Sequence, residues 1–238
     1  MVTANRRTIL VTGATRGIGY AAVEGLAALG HTVLLGARNL QRGQALAAGI
    51  AGNVEAVEID VTDHDFIHAA AALVAERFGR LDGLVNNAGI NVGYLDKPSE
   101  SHLDDFRAVF ATDLFGVVDV TMAFLPLLSR SDVPRIVNVS SYRGSLASKD
   151  SWVGPWSTAY GTAKTSLNAI TVHLGRELGE QGYAVSAVSP GHVATDLTEG
   201  NAPLTPAEGA ATIISLVTAD TAAANGLFLD EDGNVIPW

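Results

Sequence analysis

Tyr160 and Lys164, in Tyr-Gly-Thr-Ala-Lys, stand four positions apart and so share one face of a helix. An ammonium beside a phenol favours the phenolate, drawing the tyrosine's pKa from about 10 towards the working pH. A tyrosine tuned in that way gives a proton to a carbonyl oxygen or takes one from an alcohol. Taken alone, the pair also reads as an exposed helical contact. Ser141, at the end of the apolar segment 136–139, supplies a hydroxyl that can hold the same oxygen and form a small oxyanion site with Tyr160.

A second group of residues suits a phosphate-bearing ligand. Thr-Gly-Ala-Thr-Arg-Gly-Ile-Gly at 12–19 sits between an apolar strand and a helical pattern. Glycines there let the backbone turn sharply and approach a pyrophosphate, whose charge meets the helix N-terminus. The candidate contacts are Gly13, Thr15, Arg16, Gly17, Ile18 and Gly19; a glycine triplet by itself also serves a tight turn. A ribose with free hydroxyls calls for a carboxylate at the end of the second strand, but the segment 35–39 offers Arg38 instead. Arg38 and Arg16 together suit a 2′-phosphate dianion, so NADPH/NADP+ is expected over NADH. Asp60, followed by Val61, ends the third strand, where a carboxylate can accept from an adenine amino group or simply cap a turn. Asn87, Ala88 and Gly89 follow the fourth strand and suit the adenosine. Pro190, Gly191, Val193 and Thr195 follow the sixth and suit the nicotinamide carboxamide.

Positioning these groups requires strands that alternate with helices. Apolar segments at 9–12, 31–36, 54–59, 81–86, 135–139, 183–188 and 226–229 predict seven strands, several too apolar to be half exposed. Helices are predicted from Ile18 to Gly30, after a cap at Asn39, at 63–78 behind Thr62 or Asp63, and through 103–128. Two more follow at 158–180 and from Pro206 onward. The fold class is α/β: one doubly wound, Rossmann-like domain over 1–238 with a parallel sheet covered on both faces.

Composition narrows the function classes. The chain has 238 residues, no cysteine, and a formal net charge of −10. Disulfides and thiol catalysis are excluded. The acidic balance, without a basic run, argues against nucleic acid or an anionic membrane as partner. The longest purely apolar stretch, 69–75, is far too short to span a bilayer, and no cleavable leader follows Arg6 and Arg7. A cytoplasmic protein is the expectation. His64 and His68 are spaced i, i+4 but read as an exposed helix face, and no metal is expected.

In this order, Thr12–Gly19, Asn86-Asn87-Ala88-Gly89, Tyr160–Lys164 and Pro190-Gly191 make the chain resemble the short-chain dehydrogenase/reductase family, over nearly its whole length. The resemblance implies hydride exchange at a carbonyl or alcohol carbon, with Ser141 as the catalytic serine and Tyr160 as acid/base. It implies that Lys164 tunes the tyrosine and binds the nicotinamide ribose, and that the chain forms a homodimer or homotetramer. The carboxy-terminal Phe228-Leu229-Asp230 and Pro237-Trp238 look like members related to carbonyl reductases.

Two departures stand out. Asp113 replaces an asparagine that usually anchors a water near the lysine; its charge would raise the pKa of Lys164 and weaken the pull on Tyr160. The segment 142–157 is longer than in compact members and carries Trp152 and Trp156, which either wall the substrate pocket or pack the loop onto the body. Residues 194–206 are expected to form a substrate lid. The expected function is reduction of a ketone or aldehyde, run in either direction. Rival readings are enoyl or imine reduction, epimerisation, or a non-catalytic NADPH-binding regulator.

Overall fold

The computed structural model describes residues 6–149 and 154–238. Its sheet comprises β1 (Thr8–Val11), β2 (Thr32–Ala37), β3 (Asn53–Glu58), β4 (Gly83–Asn86), β5 (Arg135–Val139), β6 (Ala184–Val188) and β7 (Phe228–Leu229). The order is β3-β2-β1-β4-β5-β6-β7 and every pairing is parallel. The helices are α1 (Gly17–Ala28), α2 (Leu40–Ala48), α3 (His64–Phe78), α4 (Leu103–Phe110), α5 (Gly116–Leu128), α6 (Thr158–Gly179) and α7 (Pro206–Thr218).

Alternation along each strand divides the core into two layers. Leu10, Leu34, Leu84, Ile136 and Val185 pack against Ile67 and Val74 of α3, Phe124 of α5 and Leu174 of α6. Their neighbours Ile9, Val11, Val33, Leu35, Val85 and Val137 face the other way, onto Val23 and Leu26 of α1 and Ile213 and Val217 of α7. Helix starts follow side-chain caps. Asn39 Oδ1 accepts from Arg42 N at 2.8 Å, and Asp63, rather than Thr62, accepts from the first amides of α3.

The run expected as one helix over 103–128 is two α-helices joined by a π-helical turn, Ala111–Phe115, with Asp113 fully buried within it. By length and composition this run, Leu103–Leu128, is apolar enough to cross a membrane, an 18-residue window of it having a mean hydropathy of 1.7. Scanning for purely apolar stretches misses it because Thr112, Asp113 and Asp119 interrupt the pattern. In the fold its apolar residues Val109, Val120, Phe124 and Leu128 are core, packed against α3, α6 and the sheet.

Charged groups lock the amino end of the sheet. Arg7 donates to Val217 O and Ala219 O at the end of α7, and pairs with Asp220 at 2.7 Å. Arg135, also buried, donates to Ala219 O and Pro134 O. Asp82 accepts from Thr8 N and Ser131 Oγ, joining β1 to the segment before β5. The strand order reverses between β1 and β4, so a crevice opens at the opposite, carboxyl end.

Candidate active site

The crevice at the carboxyl end encloses about 330 Å³. Ser141 begins the turn after β5, and Tyr160 and Lys164 line the same crevice from the first turns of α6. Lys164 is nearly sealed from solvent. Its ammonium donates to Val139 O at 2.9 Å, sits 3.0 Å from Asp113 Oδ2, and lies 5.3 Å from the centre of the Tyr160 ring. Asp113 Oδ1 accepts from Ile90 N at 2.9 Å, so its carboxylate is held from both sides. A Cβ at Gly89 would come within 2.9 Å of Asp113 Oδ2, so glycine there leaves room for the ion pair.

Ser141 Oγ accepts from Arg143 N at 3.2 Å, and Ser141 lines the crevice beside Tyr160. Asn168, one helical turn beyond Lys164, joins β5 to the next turn: it accepts from Ser140 Oγ at 2.6 Å and donates to Gly144 O at 3.1 Å. The tail braces the same turn. Ser145 Oγ donates to Pro237 O, Ala147 N donates to Trp238 O, and Trp238 stacks on Phe228 at 5.5 Å.

Burial pushes the Tyr160 hydroxyl above its ordinary value, and the carboxylate of Asp113 adds to that. Lys164, Ser141 and Arg143 pull the other way without cancelling it. The downward shift expected from Lys164 alone is therefore corrected: removing a phenolate from water costs more here than one half-neutralised ammonium returns. Burial alone would lower Lys164, but Asp113 and Tyr160 outweigh it and raise its pKa, the direction expected from the aspartate.

The other wall of the crevice is the glycine turn. Gly13, with φ +62°, approaches Ala88 so closely that a Cβ would stand 2.7 Å from Ala88 Cα, and a Cβ at Gly19 would collide with Asn87 Nδ2. Asn87 in turn donates to Thr12 O at 2.9 Å and Ala88 N to Thr12 Oγ1, pinning the end of β4 to this turn. Helix α1 has no side-chain cap and no acidic residue in its first turn, so its leading amides face the crevice available for an anion. Thr15, Arg16, Gly17, Ile18, Arg38, Asp60, Val61, Gly89, Pro190, Gly191, Val193 and Thr195 all line it. The lining thus fits a dinucleotide.

The chemistry of this crevice has counterparts of known kind. A family profile described as short chain dehydrogenase matches residues 7–203. The chain belongs to the short-chain dehydrogenase family. A short-chain dehydrogenase of Penicillium roqueforti is 32% identical over 92% of this chain and 91% of its own length. A 3-oxoacyl-[acyl-carrier-protein] reductase of Synechocystis is 34% identical over 99% of both. Among solved structures, the NADPH-bound carbonyl reductase from chicken fatty liver superimposes with a TM-score of 0.88 at 30% identity, covering 98% of this chain and all of that one.

Within this short-chain dehydrogenase, several expected residues take partners of their own. The Arg16 guanidinium sits 2.6 Å from Asp196 Oδ2, tying the glycine turn to the 194–206 segment while it lines the crevice with Arg38. Arg42, which no sequence motif marks, lines the crevice together with Arg38. Among the described residues no ion pair holds either arginine. Its signal was available: Asn39 caps α2 and directs the helix's first turn to the crevice. Asp60 accepts from the amide and hydroxyl of Thr62, at 2.9 and 2.7 Å, so one oxygen serves the turn. Asn86 is a core residue, donating to Thr121 and Asn138.

The 194–206 segment is anchored at its base, where Ala194 N donates to Leu204 O, and its turn Asp196–Thr198 places Leu197 and Thr198 on the crevice. Trp152 lies outside the described residues. Trp156 is more than half exposed and does not line the crevice; its carbonyl accepts from Leu95 N, giving an apolar rim with Tyr94 and Leu95.

Proposed function

We propose that this oxidoreductase reduces a ketone or aldehyde to an alcohol and uses NADPH in preference to NADH. The observation that carries the reading is that Ser141, Tyr160 and Lys164 line the same crevice as Arg38 and Arg42. Arg38 and Arg42 would hold the 2′-phosphate, the amides of α1 the pyrophosphate, and Pro190, Gly191, Val193 and Thr195 the carboxamide. When bound, the reduced nicotinamide supplies the hydride.

Tyr160 hands its proton to the carbonyl oxygen, and a raised pKa keeps that proton in place throughout the neutral range. Ser141 accepts from Arg143 N and so keeps its own O–H free to point at the same oxygen. The Lys164 ammonium donates to Val139 O and sits 3.0 Å from Asp113 Oδ2. Lys164 also lines the crevice, where it can bind a ribose hydroxyl and favour the anion left on Tyr160. The apolar Ile90, Val193 and Leu197 in the crevice lining suit an apolar carbonyl substrate. Self-association across the outer face of α4 and α5, where Phe115 and Met122 are exposed, belongs to the same reading.

A panel of ketones and aldehydes, followed by NADPH absorbance and product identification, tests the reaction. Alcohol formation from some members is expected; tight NADPH binding with no turnover of any of them would leave a regulator instead. For the cofactor, Arg38→Ser with Arg42→Ser is expected to weaken NADPH by about 10- to 100-fold, as lost charge-assisted bonds should. NADH binding should hardly change. Equal losses for both cofactors would remove the phosphate role.

The aspartate gives the reaction a pH signature. Removing its charge lowers the Tyr160 pKa, so in Asp113→Asn the alkaline onset of alcohol oxidation should move to lower pH. The high-pH loss of ketone reduction should move down with it. Superimposable pH–rate curves for the two proteins would show that the charge at this position does not reach Tyr160.

A further inference from the structure

Away from the crevice, three side chains from two helices converge on one point. His64 and His68 lie on the first two turns of α3, and Asp119 reaches them from α5, 55 positions along the chain from His64. His64 Nδ1 is 2.9 Å from Asp119 Oδ2, His68 Nε2 is 3.7 Å from Asp119 Oδ1, and one ligand atom from each residue lies within 4.8 Å of the others. The two imidazoles stand 4.1 Å apart and tilted. Bonds of about 2.0–2.1 Å to a tetrahedral ion place ligand atoms roughly 3.3 Å apart, so modest rotations of these exposed side chains would close the set around one ion.

We propose that His64, His68 and Asp119 form a binding site for a divalent late transition metal, Zn²⁺ or Ni²⁺ in class, with water completing the coordination. Two imidazole nitrogens and one carboxylate suit such ions, whereas Mg²⁺ and Ca²⁺ take oxygen shells. The histidines are more than half exposed, so an ion exchanges directly from solution. An i, i+4 histidine pair alone is an ordinary helix face; the carboxylate brought from a second helix turns it into a three-point chelate. The site staples the start of α3 to α5. α3 begins directly after Asp60, Val61 and Thr62, which line the crevice, and Gly116 at the head of α5 abuts the Val61 carbonyl. A bound ion therefore braces the wall on the Asp60 side.

The test uses the untagged full chain, stripped of metal with a chelator, in titration calorimetry and thermal denaturation with ZnCl₂, NiCl₂ and MgCl₂. One Zn²⁺ or Ni²⁺ should bind per chain. His64→Ala, His68→Ala and Asp119→Asn should each weaken it by more than about tenfold. At an ion concentration of about 100 times Kd, the melting temperature should rise by about 5–10 °C in the parent protein and not in the variants. No saturable binding, an equal response to Mg²⁺, or unchanged affinity in any one of the three variants would overturn the site.

Discussion

Tyr160→Phe is expected to lower kcat for carbonyl reduction by between about a hundredfold and ten-thousandfold while leaving NADPH affinity nearly intact. The change removes one oxygen. The ring keeps its place beside Lys164, 5.3 Å from the ammonium, and the residues that would hold the phosphates stand at the far side of the crevice. What disappears is the phenol that would deliver a proton to the substrate oxygen; Ser141 would still offer that oxygen a hydrogen bond but, as an aliphatic hydroxyl, is a far weaker acid. Stopped-flow NADPH oxidation gives the first quantity and fluorescence titration the second. A variant that keeps a substantial fraction of kcat would take the proton-donor role away from Tyr160.

Lys164→Met carries the second large effect, and it is double. Activity should fall, because the anion developing on Tyr160 loses its neighbouring charge. Stability should fall as well, by about 3–5 kcal/mol, because Asp113 is then left fully buried without a counter-charge. For a chain of this size that corresponds to a drop of roughly 6–20 °C in melting temperature. Adding Asp113→Asn to Lys164→Met removes the stranded charge, while the amide oxygen still accepts from Ile90 N. Most of the lost stability should return, and the lost activity should not. If Lys164→Met melts with the parent, the buried pair has no share in holding the fold. If the double variant regains turnover, Lys164 has no share in the chemistry.

The parts of this molecule that were legible beforehand are those in which the chemistry is local in sequence. Tyr160 and Lys164 share a helical turn, and the glycine turn is bounded by its own strand and helix, so spacing alone assigns them. Strand alternation likewise predicts all seven strands to within a few residues. Features made by packing between distant elements were harder. The pairing of Arg16 with Asp196 and the place of Arg42 beside Arg38 depend on how loops from different strands meet over the crevice. The direction of the Tyr160 shift depends on burial, which a motif does not carry. The π-helical turn that buries Asp113 leaves no periodic signature in a stretch of only five residues. Asn168 shows the intermediate case. It continues the Tyr160–Lys164 face at the next i+4 position, and only its bonds to Ser140 and Gly144 reveal that it braces the turn carrying Ser141.

The charged lock formed by Arg7, Arg135, Asp82 and Asp220 has a bearing on how this enzyme can be remodelled. It ties β1, β5 and the end of α7 together at the end of the sheet remote from the crevice. Anchorage and substrate choice are thus assigned to opposite ends of the same strands. Libraries confined to residues 94–97, 146–149 and 196–203 would vary loops at the crevice end while leaving the anchorage untouched. Most of their members should still fold, so selection for a new carbonyl substrate would sample shape rather than survival.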